Sequence, residues 1–335
     1  MKKIITNISL LLIVATFASS CERKTLTTEC LCTSTMLIPI DVDWSVCGVT
    51  PQNVTLLIYN KENGDLYYEH YYEHNIEDIQ SYVRLGEGEY TAVVFNELRD
   101  QINYISCVDH QNLYTLKFES ETSTPLRSRL ESRGYVSQVG DLAVATIENI
   151  EITQEKILEA ESIVAEYYSS TKAAELSAST KSTVESLLDV QPTKKSSTIE
   201  INAHITGIHN ARTPALVDLI NLADGYYVYG DQNSSSTSTL QFTTSDIDYD
   251  DGSTRDGVIS TTITTFGTLS DRSSTSGHDD DTAVTLDILF QLINESSDEV
   301  NLTKDVTDDI THTQLSDGSY YITINTTFTD ALPDV

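Results

Sequence analysis

The stretch Val284-Thr285-Leu286-Asp287-Ile288-Leu289-Phe290-Gln291-Leu292 sets Val284, Leu286, Ile288, Phe290 and Leu292 at every second position. Side chains two apart share one face of a β-strand, so this run predicts a strand with a continuous apolar face. The same period recurs on both sides of it. Tyr320, Ile322, Ile324 and Phe328 follow the turn residues Asp317-Gly318, and Ile199, Ile201, Ala203 and Ile205 alternate with polar neighbours. Nearer the N-terminus come Ile38, Ile40, Val42 and Trp44, then Val54, Leu56 and Ile58, then Tyr90, Ala92 and Val94 with Val93 and Phe95 facing the opposite way. Asn63-Gly64 is a strong hairpin cue, and Gly86-Glu87-Gly88 makes a second turn. Many short, half-buried strands punctuated by turns predict an all-β chain of β-sandwiches. The polar segments Ser234 to Thr239 and Ser270 to Asp281 are expected as surface loops between strands.

One stretch departs from this period. Ile157, Ala160, Val164 and Tyr167 recur at helical spacing, as do Val184, Leu187 and Leu188, and Ser182-x-x-Glu185 has the form of a capping box. Gln191-Pro192-Thr193-Lys194-Lys195 then reads as a linker. The expected division is an N-terminal sandwich over residues 36–152, a helical segment and linker over 153–195, and a C-terminal sandwich over 196–335. The helices are expected to cover a sandwich edge or to bridge the two domains.

The first 20 residues have the pattern of a secretory signal. Lys2 and Lys3 precede an apolar run from Ile8 to Phe17, and the small residues Ala18-Ser19-Ser20 lead directly into Cys21. A cysteine at that point resembles the bacterial lipobox, which predicts cleavage before Cys21, lipid on its thiol and a tether over residues 21–35. More than one acyl chain is needed for stable anchoring, and a triacylated cysteine supplies that. No later apolar run is long enough to span a bilayer, which takes ~20 residues.

With 51 acidic and 20 basic residues the formal net charge is −31. Nucleic-acid binding is excluded on that balance, because neutralising phosphates needs a basic face. Besides Cys21 there are Cys30, Cys32, Cys47 and Cys107. Export permits disulfides, and four cysteines allow three complete connectivities between which sequence does not choose. Cys30-Leu31-Cys32 departs from the usual spacing of zinc ligands.

No Gly-x-Ser-x-Gly elbow, His-Glu-x-x-His pair or phosphate-binding glycine loop occurs, so no catalytic residue, metal ligand or cofactor is assigned. The tandem Tyr67-Tyr68-Glu69-His70-Tyr71-Tyr72-Glu73-His74 places Tyr68, His70, Tyr72 and His74 on one strand face, a candidate ligand surface. His70 and His74 would lie ~13 Å apart by strand rise, too far to share a metal. An amphipathic edge strand is therefore the stronger reading. Asp246-x-Asp248-x-Asp250-Asp251-Gly252 opens like a calcium loop, but its glycine is displaced and Gly257 stands where the bidentate Glu belongs. It is read as an acidic hairpin tip.

Several blocks, taken in order, resemble a Bacteroidales fimbrillin-related lipoprotein family. Ile40-Asp41-Val42-Asp43-Trp44-Ser45 precedes Val54 to Tyr59 and Gly64, and Leu85-Gly86-Glu87-Gly88-Glu89-Tyr90 leads into Val93-Val94-Phe95-Asn96. Leu142-Ala143-Val144-Ala145 resembles the strand closing the family's first domain. Ile199 to Ile208, Asn210-Ala211, Thr264-Thr265-Phe266-Gly267, Asp305-Val306-Thr307-Asp308 and Leu332-Pro333 resemble blocks of fimbrial anchor and accessory subunits. The resemblance implies two tandem transthyretin-like Greek-key sandwiches and a fimbrial anchor or accessory subunit, lipid-anchored at the outer membrane and surface-exposed. Its implied partner is a fimbrial stalk subunit. In that family stalk subunits lose an N-terminal strand to a protease, and the opened groove accepts a strand from the next subunit, a case of strand addition. The tail Glu22-Arg23-Lys24 lacks the acidic run of surface-exported members. Asp281-Thr282-Ala283 resembles the Bacteroidales O-glycosylation motif, which would place a glycan on Thr282. The alternative function is a stand-alone surface lipoprotein that binds glycans or host ligands through its tyrosines.

Overall fold

The computed structural model describes residues 36–73, 81–127, 134–158, 188–244, 247–249, 255–269, 283–294, 296–329 and 332–333. The first half supplies β1 (Met36–Val42), β2 (Asn53–Asn60), β3 (Leu66–Glu73), β4 (Ser81–Leu85), β5 (Gly88–Asn96), β6 (Ile105–Val108), β7 (Lys117–Ser120), β8 (Tyr135–Val136) and β9 (Ala143–Ile152). The connection carries β10 (Leu188–Val190) and β11 (Thr193–Lys194). The second half supplies β12 (Ser197–Ile205), β13 (Ala211–Ala223), β14 (Gly225–Tyr227), β15 (Gln232–Asn233), β16 (Thr237–Thr244), β17 (Ile247–Tyr249), β18 (Gly257–Thr265), β19 (Thr285–Leu292), β20 (Glu299–Asp305), β21 (Ile310–Gln314) and β22 (Tyr320–Phe328).

The two halves repeat one topology. In the first, β10-β1-β4 faces β9-β5-β2-β3; in the second, β22-β12-β18 faces β20-β19-β13-β16. Each half centres one sheet on its own first strand, which pairs antiparallel on one side and parallel to its last strand on the other. The first strand of the second half is paired on both sides along nearly its whole length, with β18 from Ser197 to Ile205 and with β22 from Thr198 to Ile205. Among the described residues β1 pairs with β4 from Met36 to Ile40 and with β10 from Ile40 to Val42.

Alternation places the apolar faces inward. Val54, Leu56, Ile58, Val83, Leu85 and Val94 fill the first sandwich, and Ile199, Ile201, Leu219, Leu286, Ile288, Phe290 and Ile324 fill the second. A third core lies where the halves meet: Leu57, Tyr59, Val93, Phe95 and Phe118 of the first half pack with Ala223, Tyr226, Val228 and Phe266 of the second. The expectation of half-buried strands therefore fails for β2 and β5. Val54 to Tyr59 of β2 and Tyr90 to Asn96 of β5 are buried on both faces, because the joint core covers the face turned away from the sandwich interior.

Strand pairing crosses the boundary as well. A four-stranded sheet of order β15-β14-β7-β6 mixes both halves, and β8 adds in parallel to β16. This overturns the loop reading for Thr237 to Thr239, while Ser234 to Ser236 do form the loop between β15 and β16. Thr237–Thr244 is a strand, Ser234, Ser238 and Thr239 are buried, and Thr239 donates its N–H to the Gly134 carbonyl at 3.0 Å beside the parallel pairing with β8. Polar composition misled here because backbone pairing satisfies the segment.

Residues 154–158 are helical, begun by Thr153, whose Oγ1 accepts the Lys156 N–H at 3.3 Å, and Ile157 is buried in the first core. The remaining helical expectations, including Ser182 and Glu185, fall outside the described residues. So do Cys21, Cys30, Cys32, His74, Thr282 and the tip of the acidic hairpin, of which Ile247–Tyr249 pairs with β18. Among the described residues no helix is long and apolar enough to cross a membrane.

Candidate functional site

β3 lies at the edge of its sheet, and its alternation points Tyr68, His70 and Tyr72 to one face. The His70 ring stands 6.0 Å from that of Tyr68 and 4.5 Å from that of Tyr72. Tyr68 and Tyr72 pack against the first core, so only His70 of this trio is fully exposed. On the other face the Tyr71 hydroxyl donates to Glu69 at 2.5 Å, and Glu69 is bound by Arg99 at 3.0 Å. Burial, helped by Glu69, pushes the Tyr71 phenol up to about 12.

A second aromatic pair was not foreseen. Tyr114 and Tyr229 meet edge to face at 4.9 Å, one from each half, with 44% and 53% of their surfaces exposed. Tyr114 is held by its hydroxyl to the Lys61 carbonyl at 3.2 Å, above Gly64, whose left-handed φ of 76° leaves no room for a side chain under the ring.

A concavity lies at the joint. A cleft of about 530 Å³ is lined by five consecutive residues of β9, Val144 to Glu148, by Val190, Gln191, Thr193 and Lys195 of the connection, and by Tyr226, Val228, Gly230 and Asp231 around the β14–β15 turn. Its volume lies within the ~300–1,000 Å³ of small-molecule pockets. Lys195 is buried, yet its ammonium lies 2.7 Å from Asp231 Oδ1 and 5.3 Å above the Tyr226 ring. The Tyr226 hydroxyl donates to the same carboxylate oxygen at 2.8 Å. The connection and the β14–β15 turn are thereby locked together. Lys195 had been read as part of a hydrophilic linker; a lone Lys-Lys pair carries no sign that one ammonium is buried.

Among the described residues the two cysteines form no bridge. Cys47 and Cys107 are both free thiols, Cys47 donating to the Trp44 carbonyl at 3.3 Å. Burial raises both, Cys107 to about 12. Among the described residues no group of three or more His, Cys, Asp or Glu is placed to hold a metal ion.

The family model described as a domain of unknown function, DUF5119, matches residues 20–243. No curated protein matches the chain. A "putative adhesin" from Bacteroides ovatus is 16% identical, with 82% of this chain and 84% of that chain covered at a TM-score of 0.54. The fimbrial anchor protein Mfa2 from Porphyromonas gingivalis is 8% identical, with 86% and 95% covered at a TM-score of 0.44. A "putative polysaccharide binding" protein from Bacteroides thetaiotaomicron is 11% identical, with 80% of each chain covered at 0.41. The likeness to the Bacteroides ovatus protein is one of fold. The resemblance read from the ordered strand blocks agrees with this shared fold.

Proposed function

This chain belongs to the DUF5119 family, and from that premise we propose that it is a cell-surface adhesion protein serving as an anchor or accessory subunit of a fimbria. The observation that carries the reading is the fold shared with the Bacteroides ovatus adhesin over most of both chains, on which the fimbrillin-like blocks follow in order. Lipid on Cys21 holds the base of the protein to the outer membrane. Each half is a transthyretin-like Greek key, a reading supported by the repeated strand order. The chain joins a stalk subunit by strand addition, and β1, which pairs parallel with β10 and antiparallel with β4, is the one an incoming strand would replace.

The test is affinity purification of the tagged chain from native membranes, with fimbria length measured after its deletion. Co-purification of a stalk subunit and altered fimbria length are expected; absence of both sinks the reading. Radiolabelled palmitate on the wild-type chain but not on Cys21→Ala tests the anchor separately. A glycan-binding role is the second reading, favoured by the exposed Tyr114–Tyr229 pair. Glycan-array signal lost in Tyr229→Ala would support it.

A further inference from the structure

We propose that the outer edge of β9, inside the joint cleft, docks a basic extended peptide from a partner protein. The proposal rests on the strand-addition reading and names an edge separate from β1. β11 covers only the start of this edge, pairing Thr193 with Val144 and Lys194 with Ala143. The Lys195 N–H donates to the Leu142 carbonyl at 2.7 Å, whereas the Ala143 N–H points the other way, to Asn96 Oδ1 at 2.6 Å. By antiparallel alternation the even-numbered residues turn their N–H and C=O outward. The next such residue is Thr146, where β11 has ended and no described strand pairs on the outer side.

The space beside Thr146 is the cleft, with Val144, Ala145, Thr146, Ile147 and Glu148 along it. Four residues of an added strand would extend ~13 Å, in line with β11. The straight edge ends at Asn149, whose φ of 63° marks the bulge where pairing with β5 shifts between Tyr90 and Ala92. Ala145 to Ile147 carry neither proline nor charge, and the edge's guards, Glu148 and the Asn149 bulge, come only at its end. The Lys195–Asp231–Tyr226 cluster holds the β14–β15 turn in place, so the cleft stands open before any strand arrives.

Charge selects the strand. The lining carries the carboxylates of Glu148 and Asp231 against the single ammonium of Lys195, which is already bound to Asp231. Glu151 lies further along the same strand. A basic peptide is therefore attracted. A second copy of this chain, itself at −31, is disfavoured.

The test uses the full chain and a fluorescein-labelled peptide, Lys-Thr-Val-Lys-Val-Thr-Lys, read by anisotropy, with a Glu-for-Lys peptide as control. Saturable, salt-sensitive binding of the basic peptide alone is expected. Thr146→Pro removes the outward N–H and weakens binding roughly tenfold, while Thr146→Val retains it. Glu148→Lys weakens it by a similar factor and leaves folding intact, which covers the case in which the proline variant misfolds. Absence of saturation up to about 1 mM, equal binding of the acidic peptide, or indifference to Glu148→Lys overturns the proposal, as does a dimer by light scattering that Thr146→Pro dissolves. If the peptide fails while a stalk subunit still co-purifies, this edge is excluded and the fimbrial reading stands. If the peptide binds while no stalk subunit is captured, the edge survives with a different partner.

Discussion

Phe118 of the first half stands directly opposite Tyr226 of the second in the β7–β14 ladder, and both rings are buried in the joint core. Phe118 also meets Phe95 edge to face at 5.0 Å. Strands that pair across the boundary make the halves one packed body. Phe118→Ala should cost about 3–5 kcal/mol, and calorimetry should show a single transition moving down as a whole. Gly225→Ala should act in the same sense, since a Cβ there would strike the Phe118 carbonyl and part the two strands. Two transitions, with only one displaced, would contradict a shared core.

The Lys195 ammonium is buried beside a carboxylate that is largely exposed. Removing the anion leaves a desolvated cation with one anionic partner fewer. Asp231→Asn should therefore destabilise by about 1–3 kcal/mol, and Asp231→Asn combined with Lys195→Met should recover much of that loss. Chemical denaturation of the two single variants and the double variant measures the coupling.

Asp309 accepts from Lys304 at 2.8 Å and from the Thr326 hydroxyl at 2.6 Å, and these bonds hold its carboxyl below the ordinary carboxylate value. A depressed folded-state pKa contributes stability that is complete above the unfolded value of 3.8 and is lost as pH falls through the folded value. Asp309→Asn should be less stable by roughly 0.5–1 kcal/mol at pH 7, as the pair is partly solvated. The two unfolding curves should converge as the pH drops below about 4. A gap that persists in acid would place the effect elsewhere.

Cys107 needs its thiolate to react, and burial keeps the proton on to about 12. Alkylation by iodoacetamide at pH 8, followed by peptide mass analysis, should leave Cys107 unmodified in the folded protein and label it once the chain is unfolded. Rapid labelling of the native protein would show that the strand opens.

The sandwich cores were legible because a strand with one face toward its own sheet partner writes period two into the sequence. Val284 to Leu292 and Ile199 to Ile205 show this, and their apolar faces do fill the second core. The third core was not legible. Leu57 and Val93 look like ordinary occupants of the second face of a strand, and what covers that face comes from residues more than a hundred positions away, such as Tyr226 and Phe266. Ser238 and Thr239 were illegible for a related reason, since the Tyr135–Val136 strand that pairs with β16 lies about a hundred positions away, and their buried hydroxyl oxygens find no partner among the described residues.

The amino-acid sequence by itself determined the all-β class, the strands with a clean period of two such as Ile199 to Ile205 and Val284 to Leu292, the acidity, and the ordered blocks that resemble fimbrillin-related proteins. These depend on local period and composition, which neighbouring residues settle among themselves. Only the tertiary structure decided that the two halves share a core, that Lys195 is buried against Asp231, and that the edge of β9 opens into a cleft at Thr146. Each of these depends on which distant segments meet, and long-range contacts leave no period in the chain to read.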